Sequence, residues 1–237
     1  MSLFSVKHSL AQSGLLTAFT DCHSHILPDV DDGVQSMDDT LAVLAYYEQA
    51  GIGEVWLTPH IMEDIPNAPS TLRARFAKVQ EAYGGPIKLH LAAENMLDSL
   101  FDQRLAAGDL LPWGERGDAL LVETSYYRPP TNLYGQLDTI RHKGFHPILA
   151  HPERYAYMSD TDYRRLRELG VRFQCNITSF TGHYGPQALK RANMLLERGW
   201  VEYLGSDLHH LASFKESMDA KALSKKTLRL LESVMNG

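Results

Sequence analysis

The sequence predicts an α/β protein whose strands lie in one largely parallel sheet, curled into an open or distorted barrel. Three observations lead there. Strand-like and helix-like segments alternate, with seven strand-like runs starting near residues 19, 54, 87, 119, 147, 171 and 201, the pattern of successive β-α-β units. The 237 residues, 44% hydrophobic and 22% charged, suffice for one sizeable core or one complete α/β barrel, and neither a short repeat nor a low-complexity tract interrupts them. Six of the seven runs end in His, Asp or Glu, as expected where strand C-termini gather round one site.

Taken in order, residues 1–17 form an N-terminal arm with partly helical character, and residues 18–237 form a single domain. Phe19 to His25 is the first strand, on which His23 and His25 lie two apart and share a face. Ser36 caps a helix whose apolar stripe is Met37, Leu41, Leu44 and Ala45; Asp38 and Asp39 favour its positive end, and Gly51 and Gly53 close it. Glu54 to Thr58 is a strand stopped by Pro59, which leaves His60 at its end. A helix from Ser70 to about Tyr83, broken by Gly84-Gly85-Pro86, precedes a strand from Ile87 to Ala93 that runs into Glu94.

Asp98 to Ala107 reads as helix, and Ala119 to Val122 as a buried strand delivering Glu123. Leu133 to Lys143 is helical and closed by Gly144; Ile148-Leu149-Ala150 then leads to His151-Pro152-Glu153-Arg154. A helix from Thr161 to Leu169, a strand from Val171 to Ile177 ending near Asn176, and a helix from Pro186 to Arg198 follow. Val201 to Ser206 is the last strand and carries Asp207 and His209; Leu223 to Val234 closes the chain as a helix.

Strand C-termini meet at one face of a parallel barrel, so His23, His25, His60, Glu94, Glu123, His151, Asp207 and His209 should converge, with Asp32 joining from the loop after the first strand. An isolated His-x-His or a lone strand-end acid is commonly just a polar residue. Their shared placement, and the repetition of the i, i+2 pair in Asp207-x-His209, argue for a polynuclear metal site. Mixed imidazole and carboxylate suits Zn, Mn or Fe better than a thiolate-rich structural zinc site. His8, His90, His142, His146 and His183 fit no such pattern and read as surface or packing residues, and His210 faces away from His209. The run Tyr126-Tyr127-Arg128-Pro129-Pro130 reads as a proline-bounded loop with aromatic packing ahead of the alternative, a pocket wall.

A net charge of -6 argues against a nucleic-acid or anionic-membrane partner bound through a broad basic surface. Leu15 to Phe19 is too short for a membrane span or secretory core, so insertion in a membrane is not expected and a cytoplasmic location is. Cys22 and Cys175 read as reduced thiols. Neither has an arginine six positions on, Pro28 and Thr181 standing there, so a cysteine-nucleophile phosphatase loop is absent.

The runs Asp21-Cys-His-Ser-His-Ile-Leu-Pro-Asp-Val-Asp-Asp-Gly33, Thr58-Pro-His60, Ala150-His-Pro-Glu-Arg154 and Gly205-Ser-Asp-Leu-His209 together resemble the PHP (polymerase and histidinol phosphatase) superfamily. More narrowly, they resemble the bacterial manganese-dependent protein-tyrosine phosphatases of capsule and exopolysaccharide clusters. The resemblance implies a distorted, TIM-like (β/α)7 barrel with three divalent metals, Mn foremost and Fe or Zn as alternatives. His23, His25, Asp32, His60, Glu94, Glu123, His151, Asp207 and His209 match the family's ligands, and Arg154 its phosphate-binding arginine. Members often carry a second arginine after Ser-Asp-x-His; here Lys215 is the only candidate for that place, and it lacks the bidentate fork. The activity implied is hydrolysis of phosphotyrosine by metal-activated water, with an autophosphorylating tyrosine kinase of polysaccharide export as partner. A small-molecule phosphatase acting on a substrate such as histidinol phosphate, and a catalytically silent metal-binding scaffold, are the alternatives.

Overall fold

The structure is a computed structural model and describes residues 6–236. Among these residues nine strands form two parallel sheets. β1 (Thr20–Ser24), β2 (Glu54–Leu57) and β4 (Lys88–Leu91) pair in the order β1-β2-β4. β3 (His60–Ile61), β5 (Glu94–Met96), β6 (Ala119–Glu123), β7 (His146–Ala150), β8 (Arg172–Asn176) and β9 (Tyr203–Gly205) pair in that order in the second. After β9 the chain returns to β1: Asp207 N donates to His23 O at 2.8 Å, and His25 N to Leu208 O at 3.1 Å. The sheets thus curl towards each other as a mixed α/β fold.

Two expected strands, Glu54 to Thr58 and Ile87 to Ala93, are each followed by a short further strand that the sequence reading did not include. Thr58 and Pro59 separate β2 from β3, where proline has no N–H for the ladder. Ala92 and Ala93 separate β4 from β5, and Ala93 N turns aside to Leu111 O at 3.2 Å. His60 and Glu94 therefore open β3 and β5 instead of ending the preceding strands. The other strands lie where the apolar runs place them.

The period of two along a strand divides the interior. Ala119, Leu121, Ile148 and Ala150 form a small cluster against Trp113 and Tyr203, and the Trp113 ring packs tilted, centroids 4.8 Å away, against both Trp56 and Tyr203 while its Nε1 donates to Cys22 O. Leu120, Val122, Leu149, Phe173 and Cys175 belong instead to the large core shared with the helices. Glu123 is in phase with Ala119 and Leu121, so the face that is apolar low on β6 ends in a carboxylate.

The helices are α1 (Met37–Ala50), α2 (Pro69–Ala82), α3 (Ser99–Ala107), α4 (Leu133–His142), α5 (Asp160–Glu168), α6 (Gly185–Glu197), α7 (Leu211–Asp219) and α8 (Lys225–Met235). Ser36 caps α1 by accepting from Asp39 N, Asp98 caps α3, Ser159 and Asp162 form a capping box on α5, and Ser224 caps α8. The stripe expected on α1 is corrected by part of a turn. Thr40, Val43, Leu44 and Tyr47 are buried, Ala45 is exposed, and Met37 and Leu41 are only partly covered. Tyr47 faces inward because its hydroxyl donates to the buried Asp21 carboxylate at 2.6 Å.

α7 was not foreseen; it is nine residues long and its N-cap, His210, provides no side-chain bond. Within the arm, residues 1–5 lie outside the described residues. His8 pairs antiparallel with Leu223, Ala11 N donates to Met218 O, and Leu10, Leu15 and Leu16 join the core. The arm's described part is thus packed on α7 and α8, with a single 3-10 turn over Leu15–Ala18.

Candidate metal centre

β1 delivers His23 and His25 to the cleft side of the sheet, both fully buried. The next residues fold back tightly, and the turn depends on Gly33: a Cβ there would lie 2.1 Å from His25 O and 2.5 Å from His25 Cβ. Gly205 plays the same part across the sheet, where a Cβ would meet His23 Cβ at 2.5 Å. Only glycine lets these backbones approach the histidines.

All nine candidate ligands come together. His25, Asp32, His60 and His209 form one group; His23, His25 and Asp207 a second; His23, Glu94 and His151 a third; and His60, Glu94 and Glu123 a fourth, with ligand atoms within 4.8 Å in each. Glu94 is the hub, its Oε2 standing 3.3 Å from both His23 Nε2 and His25 Nε2 and 3.0 Å from His60 Nδ1. Asp32 closes the outer side, 3.3 Å from His209 Nε2 and 3.5 Å from His60 Nε2, with its side chain 66% exposed.

The backbone is bent to serve this arrangement. His151 and Asp207 follow β7 and β9 with φ of 34° and 52°, a left-handed region that non-glycine residues enter at a cost and that clusters at functional sites. Both side chains are aimed into the cluster as a result.

The donor set fits divalent cations. His60 Nδ1 lies 3.0 Å from Glu94 Oε2 and 3.1 Å from Glu123 Oε1, all three buried without a well-directed hydrogen bond, and His151 Nδ1 is buried without one, a costly state for polar atoms. His23 Nε2 and His25 Nε2 stand only 3.0 Å apart. The outer nitrogens are already engaged: His25 Nδ1 with Asp31 at 2.9 Å and His23 Nδ1 with Gln174 Oε1 at 2.8 Å. That leaves the Nε2 atoms to face the centre, the usual arrangement when a neighbour fixes a metal-binding imidazole.

The charges say the same. Burial alone would lower the His23 and His60 pKa values, yet Glu94 and its neighbours outweigh it and push His23 up to about 9 and His60 up to about 12. Burial would likewise raise Glu94 and Asp207, but the surrounding imidazoles, with Arg154 for Asp207, hold both below the usual carboxylate range. The cluster of carboxylates demands positive charge, and protons on imidazole supply it where metal ions do not.

Arg154, on the 3-10 turn after His151, lines the same cleft of about 580 Å³. Its Nη1 donates to Asp207 Oδ2 at 2.6 Å, so its partner is a cluster carboxylate and not the adjacent Glu153. Glu153 instead accepts from Asn176 N and Ser179 Oγ. Lys215 requires correction. It lies exposed on α7 with Nζ 4.9 Å from the Tyr46 ring, while its neighbour Phe214 lines the cleft. One residue along a helix turns the side chain by about 100°, so a second clamp at Lys215 is not in place.

Several contributors escaped the sequence reading. Asp31 orients His25 and accepts from His60 N at 3.0 Å. Gln174 and Asn176 project from β8, Asn176 Nδ2 donating to Asp207 Oδ2 at 2.7 Å. Their i, i+2 spacing is the same signal that identified His23 and His25. Tyr126, His183 and Tyr184 also line the cleft; for Tyr126 this is the pocket-wall role set second to aromatic packing in the sequence reading, whereas His183 read as a surface or packing residue.

Residues 19–229 match the family model described as Capsular polysaccharide synthesis, CpsB/CapC. Tyrosine-protein phosphatase CpsB of Streptococcus pneumoniae is 30% identical over 218 residues, covering 81% of this chain and 84% of that protein. Tyrosine-protein phosphatase YwqE of Bacillus subtilis is 26% identical over 197 residues, covering 81% and 77%. A crystal structure from work on YwqE of B. subtilis and CpsB of S. pneumoniae, described as unique metal-dependent tyrosine phosphatases, superposes with a TM-score of 0.78 at 24% identity. It covers 91% of this chain and 87% of that one, and the likeness is one of fold.

Proposed function

The chain belongs to the CpsB/CapC family of capsular polysaccharide synthesis, and from that membership we propose that it is a metal-dependent protein-tyrosine phosphatase. The observation that carries the reading is the convergence of nine imidazole and carboxylate side chains, several with orphaned buried atoms, beside an arginine in one cleft. The substrate is a phosphotyrosine protein, an autophosphorylating tyrosine kinase of polysaccharide export in the cytoplasm. On this reading β2 with β3, and β4 with β5, are two interrupted strands, making a distorted (β/α)7 barrel. Residues 18–237 are one phosphatase domain preceded by the arm.

His23, His25, Asp32, His60, Glu94, Glu123, His151, Asp207 and His209 would hold three divalent ions, Mn foremost. Bound ions would supply Lewis acidity, lowering the pKa of a water and offsetting phosphoryl charge. The chain's own residues do the rest. Asp31, Gln174 and Asn176 keep His25, His23 and Asp207 in register before substrate arrives. Arg154 grips phosphoryl oxygens through its planar fork. The apolar side chains of Met62, Met96 and Phe214 line the cleft and reduce the water around the reacting group, which strengthens these contacts. A phenol has a pKa of about 10, so a tyrosine leaving group needs less protonation than an alkyl alcohol would.

The test is metal analysis of the purified protein paired with hydrolysis of p-nitrophenyl phosphate and a phosphotyrosine peptide, before and after chelation. Loss on chelation and recovery with Mn or another divalent ion is expected, with kcat/KM higher on phosphotyrosine than on phosphoserine peptide or histidinol phosphate. Unchanged turnover in metal-free protein would overturn the proposal.

A further inference from the structure

A guanidinium can rotate about its side-chain bonds, and a fork that must find its geometry after substrate arrives loses much of its advantage. Arg154 is restrained by two aromatic rings and a carboxylate. Its guanidinium carbon lies 4.2 Å from the centroid of Tyr126 and 4.1 Å from that of Tyr184, one ring from the β6–α4 loop and the other at the start of α6. The rings are themselves held. Tyr126 stacks on Tyr155 at 6.0 Å, Tyr155 on Tyr157 at 5.7 Å, and Tyr157 hydroxyl meets Thr124 Oγ1 at 2.5 Å. Tyr184 meets His183 edge-on at 4.7 Å, and His183 Nδ1 is hydrogen-bonded to Ser217 Oγ on α7. Five aromatic side chains and one arginine thus form a continuous column along the cleft wall.

We propose that Tyr126 and Tyr184 are positioning residues that act through Arg154, holding its guanidinium plane so that it takes a phosphoryl group edge-on. The assignment rests on the phosphatase reading above for the identity of the ligand. Two rings fix the plane, because a cation between aromatic faces is attracted to both and water is kept from them. The bond from Nη1 to Asp207 Oδ2 fixes the rotation within that plane, and Asn176 and the Tyr184 hydroxyl hold that same oxygen, at 2.7 and 3.3 Å. The remaining in-plane N–H groups are then oriented before any ligand arrives, which is the condition under which such donors contribute most to a transition state.

A double-mutant cycle tests it. The dissociation constant of inorganic phosphate is measured by calorimetry on metal-loaded protein of verified metal content, with kcat and KM for p-nitrophenyl phosphate alongside. Tyr184→Leu or Tyr126→Leu should weaken phosphate binding about 5- to 30-fold, the range that loss of one desolvated cation–π face implies. Tyr184→Phe, which keeps the ring and loses the 3.3 Å hydroxyl contact, should recover most of the loss. In an Arg154→Ala background the same Leu substitutions should change phosphate binding less than about twofold, because their effect passes through the guanidinium. Equal losses in both backgrounds, a Phe variant as impaired as Leu, or Leu variants that bind like the unmodified protein would overturn the assignment. Phosphate binding without turnover in the unmodified protein would overturn the phosphatase reading alone, since the cycle still decides the role of the tyrosines; failure to bind phosphate at all would overturn both.

Discussion

Arg154 and Asp207 make a 2.6 Å bond between the cleft wall and the cluster of candidate ligands, and the two residues should nevertheless separate in their mutant behaviour. Arg154→Ala is expected to lower kcat by roughly 10²–10³-fold, by analogy with loss of one oxyanion donor, with metal content unchanged; Arg154→Lys should restore only part, lacking the fork. Near-normal kcat/KM in a fully metallated Arg154→Ala protein would remove Arg154 from the phosphoryl site. Asp31 touches the cluster only through His25 Nδ1 and the His60 amide. Asp31→Asn should weaken metal affinity about 10- to 100-fold, as loss of an outer partner does, and a competition titration against a chelating dye would read it. No change in affinity would mean that His25 is oriented by packing alone.

At the level of elements, the site depends on how closely two backbones pass. Gly33→Ala would drive a methyl group into His25 O and Cβ, so the loop between β1 and α1 must move and take Asp31 and Asp32 with it. Reduced metal stoichiometry and a lower Tm are expected. A fully metallated variant of unaltered Tm would show that the loop yields at little cost. α7 gives the opposite expectation. Lys215 faces Tyr46 on the outer side of the helix, so Lys215→Ala should leave kcat/KM on p-nitrophenyl phosphate within about twofold, the loss being one exposed cation–π contact. A drop comparable to that of Arg154→Ala would bring Lys215 back as a clamp.

For the molecule as a whole, metal and protons compete for the same cluster. His23 is pushed from 6.5 up to about 9 in the folded, metal-free state. Its contribution to stability is therefore complete below about pH 6.5 and is lost as pH rises through about 9. Glu94 and Asp207 are held below their ordinary values of 4.5 and 3.8, so their contributions are present above those values and fade as pH falls through the lowered ones. Chelated protein should accordingly lose Tm between pH 6.5 and 9, whereas metal-loaded protein, whose imidazoles are already unprotonated ligands, should hold it. Loading at pH 7 should release protons to a weakly buffered indicator dye. A flat chelated Tm over that range, or loading without proton release, would show that the imidazoles are neutral before metal arrives. Among the described residues no helix is long and apolar enough to cross a membrane.

Alternating apolar runs and glycine or proline breaks determined the order of strands and helices, because local periodicity reflects which face of each element is buried. The same alternation brought out His23, His25, His60, Glu94, Glu123, His151, Asp207 and His209, since a parallel sheet sends its strand ends to one side. Arg154 was legible only through family resemblance; its partner was not. Where an arginine donates depends on what lies across the cleft, and only the packed chain set Asp207 against it and left Glu153 to Asn176 and Ser179. Only the tertiary structure added β3 and β5 beyond Thr58-Pro59 and Ala92-Ala93, turned α1 to bury Tyr47 over Asp21, and carried Lys215 away from the cleft. Each outcome depends on a neighbour distant in sequence. Periodicity can say which residues share a face, but the partner that meets that face is selected by packing of the whole chain.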